Sequence, residues 1–398
     1  MNLKRCFKLD TRSHSFQSMP EKERILVEEG FELTKKYFAD RAKADRIETF
    51  SSVLDGIVKD VEPSRNEKFM EKLVKYCLEY SGESFGDDFD ISCIKNPMLN
   101  KKMAFREKFN AVLAQIITPV VPAMISVQYM DFADVANISW GDTARFQVKS
   151  NDVFFVTRQA EGILDGSVQR LYNNELVVNP EPYNIKTTVD WYQVAAGIFD
   201  LGEFVWKIGV SFSNYITMMV VTALEKFVAD GLPDAYKTTG FSTTKFVKLA
   251  ELVQAANGGA SIKAYGTLAA LMAVLPGTGA STVIANLQQG LGEEWTKMGY
   301  LGRYMGVDAI RIPQILLPNT VNTEPLLGLP DDVIYFFADG GYKPVKIVFE
   351  GNTLALDIIP TESPDKEMGV DVQLRMGMTL VNASKFGAIT GIVAPTGA

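Results

Sequence analysis

The chain has 398 residues, a formal net charge of −8, 47% hydrophobic residues and 22% charged ones. That length allows two or three domains with ample core, and the composition is that of a folded chain, not a disordered one. The acidic balance argues against a dedicated nucleic-acid binder. A single histidine, His14, leaves little for a catalytic triad or a histidine-rich metal site.

Charge is unevenly spread. Residues 1–110 hold 21 Lys and Arg against 20 Asp and Glu, whereas the remainder holds 19 against 28. The first quarter is charge-dense and the rest is charge-poor and apolar. Cys6, Cys77 and Cys93 are odd in number, widely spaced and free of any C-x-x-C pair, as suits free thiols in a reducing cytosol. The first ten residues lack the apolar core of a signal peptide.

Residues 1–19 read as a polar, extended arm, with His14 a solvated tail residue. Pro20 then opens a helical stretch over 21–60, with acids just behind it. Ser64 and Glu67 read as a capping box before a helix in which Phe69, Leu73, Cys77 and Tyr80 share a face. Residues 81–90 are a loop, and a third helix is expected over Lys101–Ile117. These helices form either a small domain packed on itself or an arm that docks on neighbouring chains. The apolar run Ala111–Val127 contains Gln115, Pro119 and Pro122, falls short of about 20 clean residues, and reads as buried core instead of a membrane span.

From Trp140 to Val194 the texture is that of strands. Residues 145–149 alternate cleanly, Leu171–Val178 reads as strand, Asn-Asn turn and returning strand, and Lys186–Ala196 as a further strand. An isolated ribbon of this kind is only marginally stable, so it is expected to rest on something else.

Asp200–Gly231 is the stretch around which the chain is organised. Asp200 and Glu203 make a D-x-x-E start, and Phe204, Ile208, Phe212, Tyr215, Met219, Ala223 and Phe227 recur at steps of three and four. Gly231 is placed at a left-handed helix end, with Pro233 beyond it. Gly209, Ser211 and Ser213 predict a bend or an extended first half. A helix of about 30 residues is roughly 45 Å long, more than a small domain needs.

Ser242–Asn257 is a further helix with Phe246, Leu249 and Val253 on one face and Gly258-Gly259 as its stop. Residues 262–275 pass from strand to helix. The Pro276–Gly279 loop has no Lys to reach a phosphate and is not a nucleotide cradle. Glu293-Glu294-Trp295 closes a helix, and residues 299–314 run into an edge-like strand ending at Pro313. Residues 345–360 read as two strands around Glu350-Gly351-Asn352, and 370–393 as closing strands.

No hydrolase, zincin, dinucleotide or EF-hand motif is present. The adjacent acids Asp87-Asp88, Glu293-Glu294 and Asp331-Asp332 could in principle do acid–base work, and Asp87, Asp88 and Asp90 could hold Ca²⁺. Neighbouring residues on one element point different ways, so these acids read as solvated faces or helix starts. No catalytic, cofactor-binding or metal-ligating residue is assigned, and no cofactor is expected.

The ribbon of 140–190, the segment 185–197, the long helix ending at 228–231, the helix 242–259, the strand–helix 262–271, the stretch 299–314 and the closing strands follow one another in a telling order. Over residues 120–398 that order resembles the Hong Kong 97-type major capsid protein of tailed bacteriophages. The resemblance implies an α+β capsid fold, with an N-terminal helical arm or scaffold-like region at 1–115 and the start of the peripheral domain at 116–139. It further implies an extended E-loop ribbon at 140–194, a spine helix at 195–235, an axial domain at 236–344 and returning strands at 345–398. It implies a non-enzymatic subunit that assembles with itself into pentamers and hexamers of an icosahedral shell. Portal, scaffold or decoration proteins and packaged double-stranded DNA would be its partners, with no membrane. Its place would be the virion, after assembly in the host bacterial cytoplasm. Lys4, Arg5, Lys8 and Arg12 would face inward. An encapsulin-type nanocompartment shell is the alternative within the same core; a carboxylate-dependent enzyme is the alternative from another class.

Overall fold

The computed structural model describes residues 14–44, 63–86, 89–100, 102–129, 133–149, 154, 156, 173–196, 198–274, 300–318, 320, 324–339, 343–358, 367–381 and 385–392. Its elements in chain order begin with helices α1 (His14–Gln17), α2 (Glu21–Ala44), α3 (Pro63–Tyr80), α4 (Pro97–Asn100) and α5 (Met103–Tyr129), with a 3-10 turn at Ile91–Lys95. Strands β1 (Ala133–Ile138), β2 (Ala144–Lys149), β3 (Asn173–Val178) and β4 (Glu181–Asp190) follow, then α6 (Trp191–Ala195) and α7 (Leu201–Asp230). Next come β5 (Lys237–Thr239), α8 (Thr243–Ala256), β6 (Ile262–Gly266) and α9 (Leu268–Met272). The chain closes with β7 (Arg303–Tyr304), β8 (Val307–Arg311), β9 (Ile334–Ala338), β10 (Val345–Ile358), β11 (Glu367–Leu380) and β12 (Gly387–Thr390). The class is α+β. The expected order of ribbon, long helix, further helix, strand–helix and closing strands is the order observed.

The chain folds as two compact units. The first takes residues 1–128, 180–213 and 349–376. Its core is the apolar stripe of α3, with Phe69, Leu73, Val74 and Leu78, meeting Phe105, Phe109, Val112 and Ile116 of α5, all at most 2% exposed. The backbone carbonyl of Pro20 accepts from the amides of Glu23 (3.0 Å) and Arg24 (3.1 Å), which opens α2 where the sequence places it. Four expectations need correction here. Helix α3 starts at Pro63, so Ser64 lies inside the first turn and is not the cap; Pro suits the first helical position because that amide has no intrahelical partner. Helix α5 runs through Pro119 and Pro122 to Tyr129, its first half held by buried apolar side chains. Residues 191–195 form helix instead of continuing a strand, because Asp190 caps them through the Tyr192 amide at 2.8 Å. The arm expected to be extended contains α1 at 14–17; residues 1–13 lie outside the described residues.

In the same unit β4 pairs antiparallel with β11, from Glu181↔Met376 to Asp190↔Glu367. The first half of α7 opens as expected: the Asp200 carboxylate accepts from the Gly202 amide at 2.8 Å and the Glu203 amide at 3.4 Å. The helix is continuous from Leu201 to Asp230, without an extended first half. Ser211 is accommodated by donating its hydroxyl to the Lys207 carbonyl at 2.7 Å.

The second unit takes residues 129–179, 214–348 and 377–398. Its centre is a six-stranded sheet in the order β5-β12-β9-β6-β8-β7, parallel at β5/β12 and β6/β8 and antiparallel at the other junctions. Alternation along β9 divides two faces. Ile334 and Phe336 join Phe246, Leu249 and Val253 of α8 and Leu271 of α9, with the Phe246 and Phe336 rings 4.9 Å apart. Phe337 turns to the opposite face and meets Phe386, which stacks on Phe227 of α7, each pair 5.5 Å apart. Helix α8 has its expected ends, with Ser242 accepting from the Lys245 amide at 3.2 Å and Asn257 closing it.

Four further expectations are overturned, three in this unit and one on β10, which the two units share. Gly231 is not in the left-handed region; a Cβ there would sit 2.9 Å from the Phe227 ring, so glycine is required by close packing. Strand β8 lies between β6 and β7 and is not an edge; the edge is the two-residue β7. Asn173 and Asn174 belong to one continuous strand, held there by pairing with β2, so they are not a turn. Residues 345–358 are one strand, with Gly351 at φ +65° absorbing the irregularity that read as a turn.

Candidate assembly surfaces

The β2–β3 ribbon lies in the second unit, in register from Ala144↔Val178 to Lys149↔Asn173. Strand alternation gives it two unlike faces. Ala144, Phe146 and Val148 share one face with Leu176 and Val178; Arg145 and Gln147 share the other with Glu175 and Val177. Arg145 and Glu175 lie 3.6 Å apart on the polar face. Among the described residues, the base is covered by the chain itself: Ala144 and Val178 pack on Val348 in a small cluster, with Ile138 and Phe146 half-buried beside it. Lys346 anchors this base, paired with Asp134 and 5.6 Å from the centre of the Phe146 ring. Leu176 and Val148 are half-buried, while Val177, Trp140, Phe154 and Val156 are exposed. The ribbon thus carries apolar surface that its own unit does not bury.

A second apolar surface lies on the chain between β8 and β9. Ile315 and Leu329 turn inward onto Val221 of α7, while Leu316, Leu326 and Leu327 are exposed.

Of the acids singled out in the sequence, Asp90, Asp331 and Asp332 lie among the described residues. Asp90 caps the Ile91–Lys95 turn, accepting from the Ser92 amide at 2.8 Å and from its hydroxyl, and those bonds hold its carboxyl below the usual range. Asp331 accepts from the Gln314 amide at 2.7 Å, and the Asp332 carbonyl from the Ile392 amide at 3.0 Å. Burial, and then the Asp332 charge, raise the Glu225 carboxyl above its ordinary value. Burial, Glu225 and Asp332 push the Tyr335 phenol up in turn. His14 is the first residue of α1. Asp87, Asp88, Glu293, Glu294, the Pro276–Gly279 loop, Cys6, Lys4, Arg5, Lys8 and Arg12 lie outside the described residues. Among the described residues no group of three His, Cys, Asp or Glu side chains is placed to hold a metal.

Charge pairs with a buried carboxylate went unseen in the sequence. Glu23 of α2 meets Lys108 of α5, and Arg375 of β11 lies 2.8 Å from the buried Glu350 of β10. Their partners are 85 and 25 positions apart, and no local pattern marks such a pair. Helix α7 is long and apolar enough to cross a membrane by composition, with half of that stretch buried within the protein. Core helices of folded domains share that property.

A family model described as "SPbeta prophage-derived putative capsid protein YonB" matches residues 48–390. No curated protein matches the sequence. Similar solved structures include the virus-like particle from Pyrococcus furiosus, at 11% identity and TM-score 0.40, covering 69% of this chain and 97% of that one. The bacteriophage PhiM1 mature capsid is similar at 10% identity and TM-score 0.40, covering 66% and 86%. The capsid of the native GTA particle is similar at 12% identity and TM-score 0.44, covering 68% and 91%.

Proposed function

Because the chain belongs to the YonB capsid-protein family, we propose that it is the major capsid protein of a tailed double-stranded DNA bacteriophage, self-assembling into the icosahedral shell around the genome. It does so as a structural protein of the virion, without catalysis or cofactor, after assembly in the host cytoplasm. Residues 140–194 serve as the E-loop, 195–235 as the spine, 236–344 as the axial domain and 345–398 as the returning strands. Residues 116–139 open the peripheral domain, and 1–115 form an additional helical region with a basic start that lies toward the DNA. Its partners are copies of itself in pentamers and hexamers, together with portal, scaffold or decoration proteins.

The observation that carries the reading beyond family membership is the half-covered ribbon. Its apolar face begins in the core at Ala144 and Val178 and continues to Phe146, Leu176 and Val148, which the chain leaves partly open. A neighbouring subunit covering several hundred Å² of such surface contributes a few kcal/mol at about 25 cal/mol per Å², before ordering costs. Repeated around a shell, contacts of that size add through multivalency.

The test is expression of the chain alone and with its neighbouring genes, followed by light scattering and electron microscopy. Closed shells, or rings of five and six, support the reading. A monomer under both conditions overturns it, and shells filled with a protein cargo instead of DNA point to a nanocompartment. A Val148→Ser, Leu176→Ser double variant is expected to lose assembly while keeping its thermal unfolding within a few degrees of the parent.

A further inference from the structure

In the first unit the N-terminal helices are built into the beginning of α7. Asn66 of α3, 8% exposed, donates its side-chain amide to the Phe199 carbonyl at 2.6 Å. Phe199 directly precedes Asp200, the residue that caps α7. The amides of Ile198 and Phe199 donate to the Gln193 carbonyl at 3.0 and 3.2 Å, so the approach to α7 is tied to α6, which packs on the Ile91–Lys95 turn. At Gly202, in the first turn of α7, a Cβ would lie 2.9 Å from Cβ of Tyr37 on α2. The two backbones therefore approach too closely for a side chain to fit between them.

The same helices supply the core of the unit. Leu73, Val74, Leu78, Phe105, Phe109 and Ile116 are completely buried, as are Leu201 and Val205 of α7. The start of α7 is therefore as deeply withdrawn from water as the helices that meet it through Asn66 and Tyr37.

We propose that α2 and α3, joined to α5 through the Glu23–Lys108 pair, are a permanent clamp on the start of the long helix, retained in the mature shell and not removed as a scaffolding segment. The retention clause rests on the shell-subunit reading; the clamp does not. Any chain cutting during maturation then falls before α2.

The test has two arms. In the first, subunits from assembled particles are digested and mapped by mass spectrometry; peptides from 21–129 are expected in equal molar ratio with peptides from 201–230. Subunits that begin beyond residue 129 overturn the proposal. In the second, amide hydrogen exchange is followed on the full-length chain, whether or not it assembles. Asn66→Ala and Gly202→Val are each expected to speed exchange over 201–213 at least tenfold while leaving α8 (243–256) unchanged. Unchanged exchange over 201–213, or an equal increase in α8, overturns the clamp. Should Gly202→Val fail to fold, Asn66→Ala decides alone. Failure to form particles counts against the shell reading, and the second arm still decides the clamp.

Discussion

Lys108 of α5 places its ammonium 2.5 Å from the carboxylate of Glu23 on α2, with both side chains withdrawn from water at 15% and 4% exposure. Tyr76 of α3 donates its hydroxyl to the same carboxylate at 3.2 Å, and the Tyr80 ring lies 4.7 Å below the ammonium. Three helices meet at one charge pair. Removing one partner of a buried pair strands the other, which costs about 3–5 kcal/mol, whereas apolar replacement of both is often near neutral. Lys108→Met is therefore expected to lower the urea midpoint sharply. The Glu23→Leu, Lys108→Met pair is expected to regain most of that loss. Equal destabilisation in the single and double variants would refute the coupling.

Gly30 of α2 sets helix propensity against packing. Alanine in a helix interior gains roughly 0.5–1 kcal/mol over glycine. A Cβ at Gly30, however, would lie 2.5 Å from Ile116 Cδ1 and 2.9 Å from Phe69 Cζ, both in the core of the first unit. Overpacking of that kind costs about 1–3 kcal/mol, so packing wins and Gly30→Ala is expected to destabilise by about 1–2 kcal/mol. A higher melting temperature in calorimetry would refute this.

Cys77 sits beside the same charge pair and is completely buried. Burial pushes its thiol up, the Glu23 charge adds to the effect, and Lys108 opposes it. The thiolate is the reactive form. Peptide-resolved alkylation at pH 8 is expected to leave Cys77 unmodified in the native protein and to label it fully after denaturation. Cys93 is only half-buried, its thiol raised by burial and then by Asp90, and is expected to react slowly but measurably.

Glu225 carries a pH signature. Its folded carboxyl is held above the ordinary value by burial and by Asp332, so the folded state binds the proton more readily than the unfolded state. This contribution is greatest at low pH, where Glu225 is neutral, and is lost as pH rises through the folded value. At neutral pH the charge is a net cost, though a small one at a partly exposed site. Glu225→Gln is expected to raise Tm at pH 7 by on the order of 1 °C, with no gain near pH 3. A gain of equal size at both pH values would rule out the proton linkage.

Much of the fold was legible because its signals are local. Asp200 and Ser242 cap the helices they announce, and the run from Phe204 to Phe227 does lie in one helix, but its buried face is Val205, Ile208, Phe212, Ile216, Val220 and Leu224, with Tyr215 exposed. The errors came where a distant partner decides. Asn174 carries a turn signal, yet pairing with Val148 draws it into a strand. Lys186–Ala196 has strand texture throughout, yet β11 ends its pairing at Asp190, whose side chain then caps a helix. The open face of the ribbon was anticipated only as a need for outside support. Which residues would remain uncovered depended on Val348, some 170 positions beyond the strand it covers.

By itself the sequence determined most kinds of element, their order, the long helix and its start, and the family to which the chain belongs. Caps and helical periods act within four residues, so they are readable wherever they occur. The tertiary structure alone decided which charges are buried together, as at Glu23 and Lys108, and where glycine is demanded by contact, as at Gly231 and Gly202. It also decided that Asn66 and Tyr37 of the N-terminal helices meet the start of α7. These features are close approaches between residues far apart along the chain, set by how whole elements pack, and no short window of sequence contains both sides of such a contact.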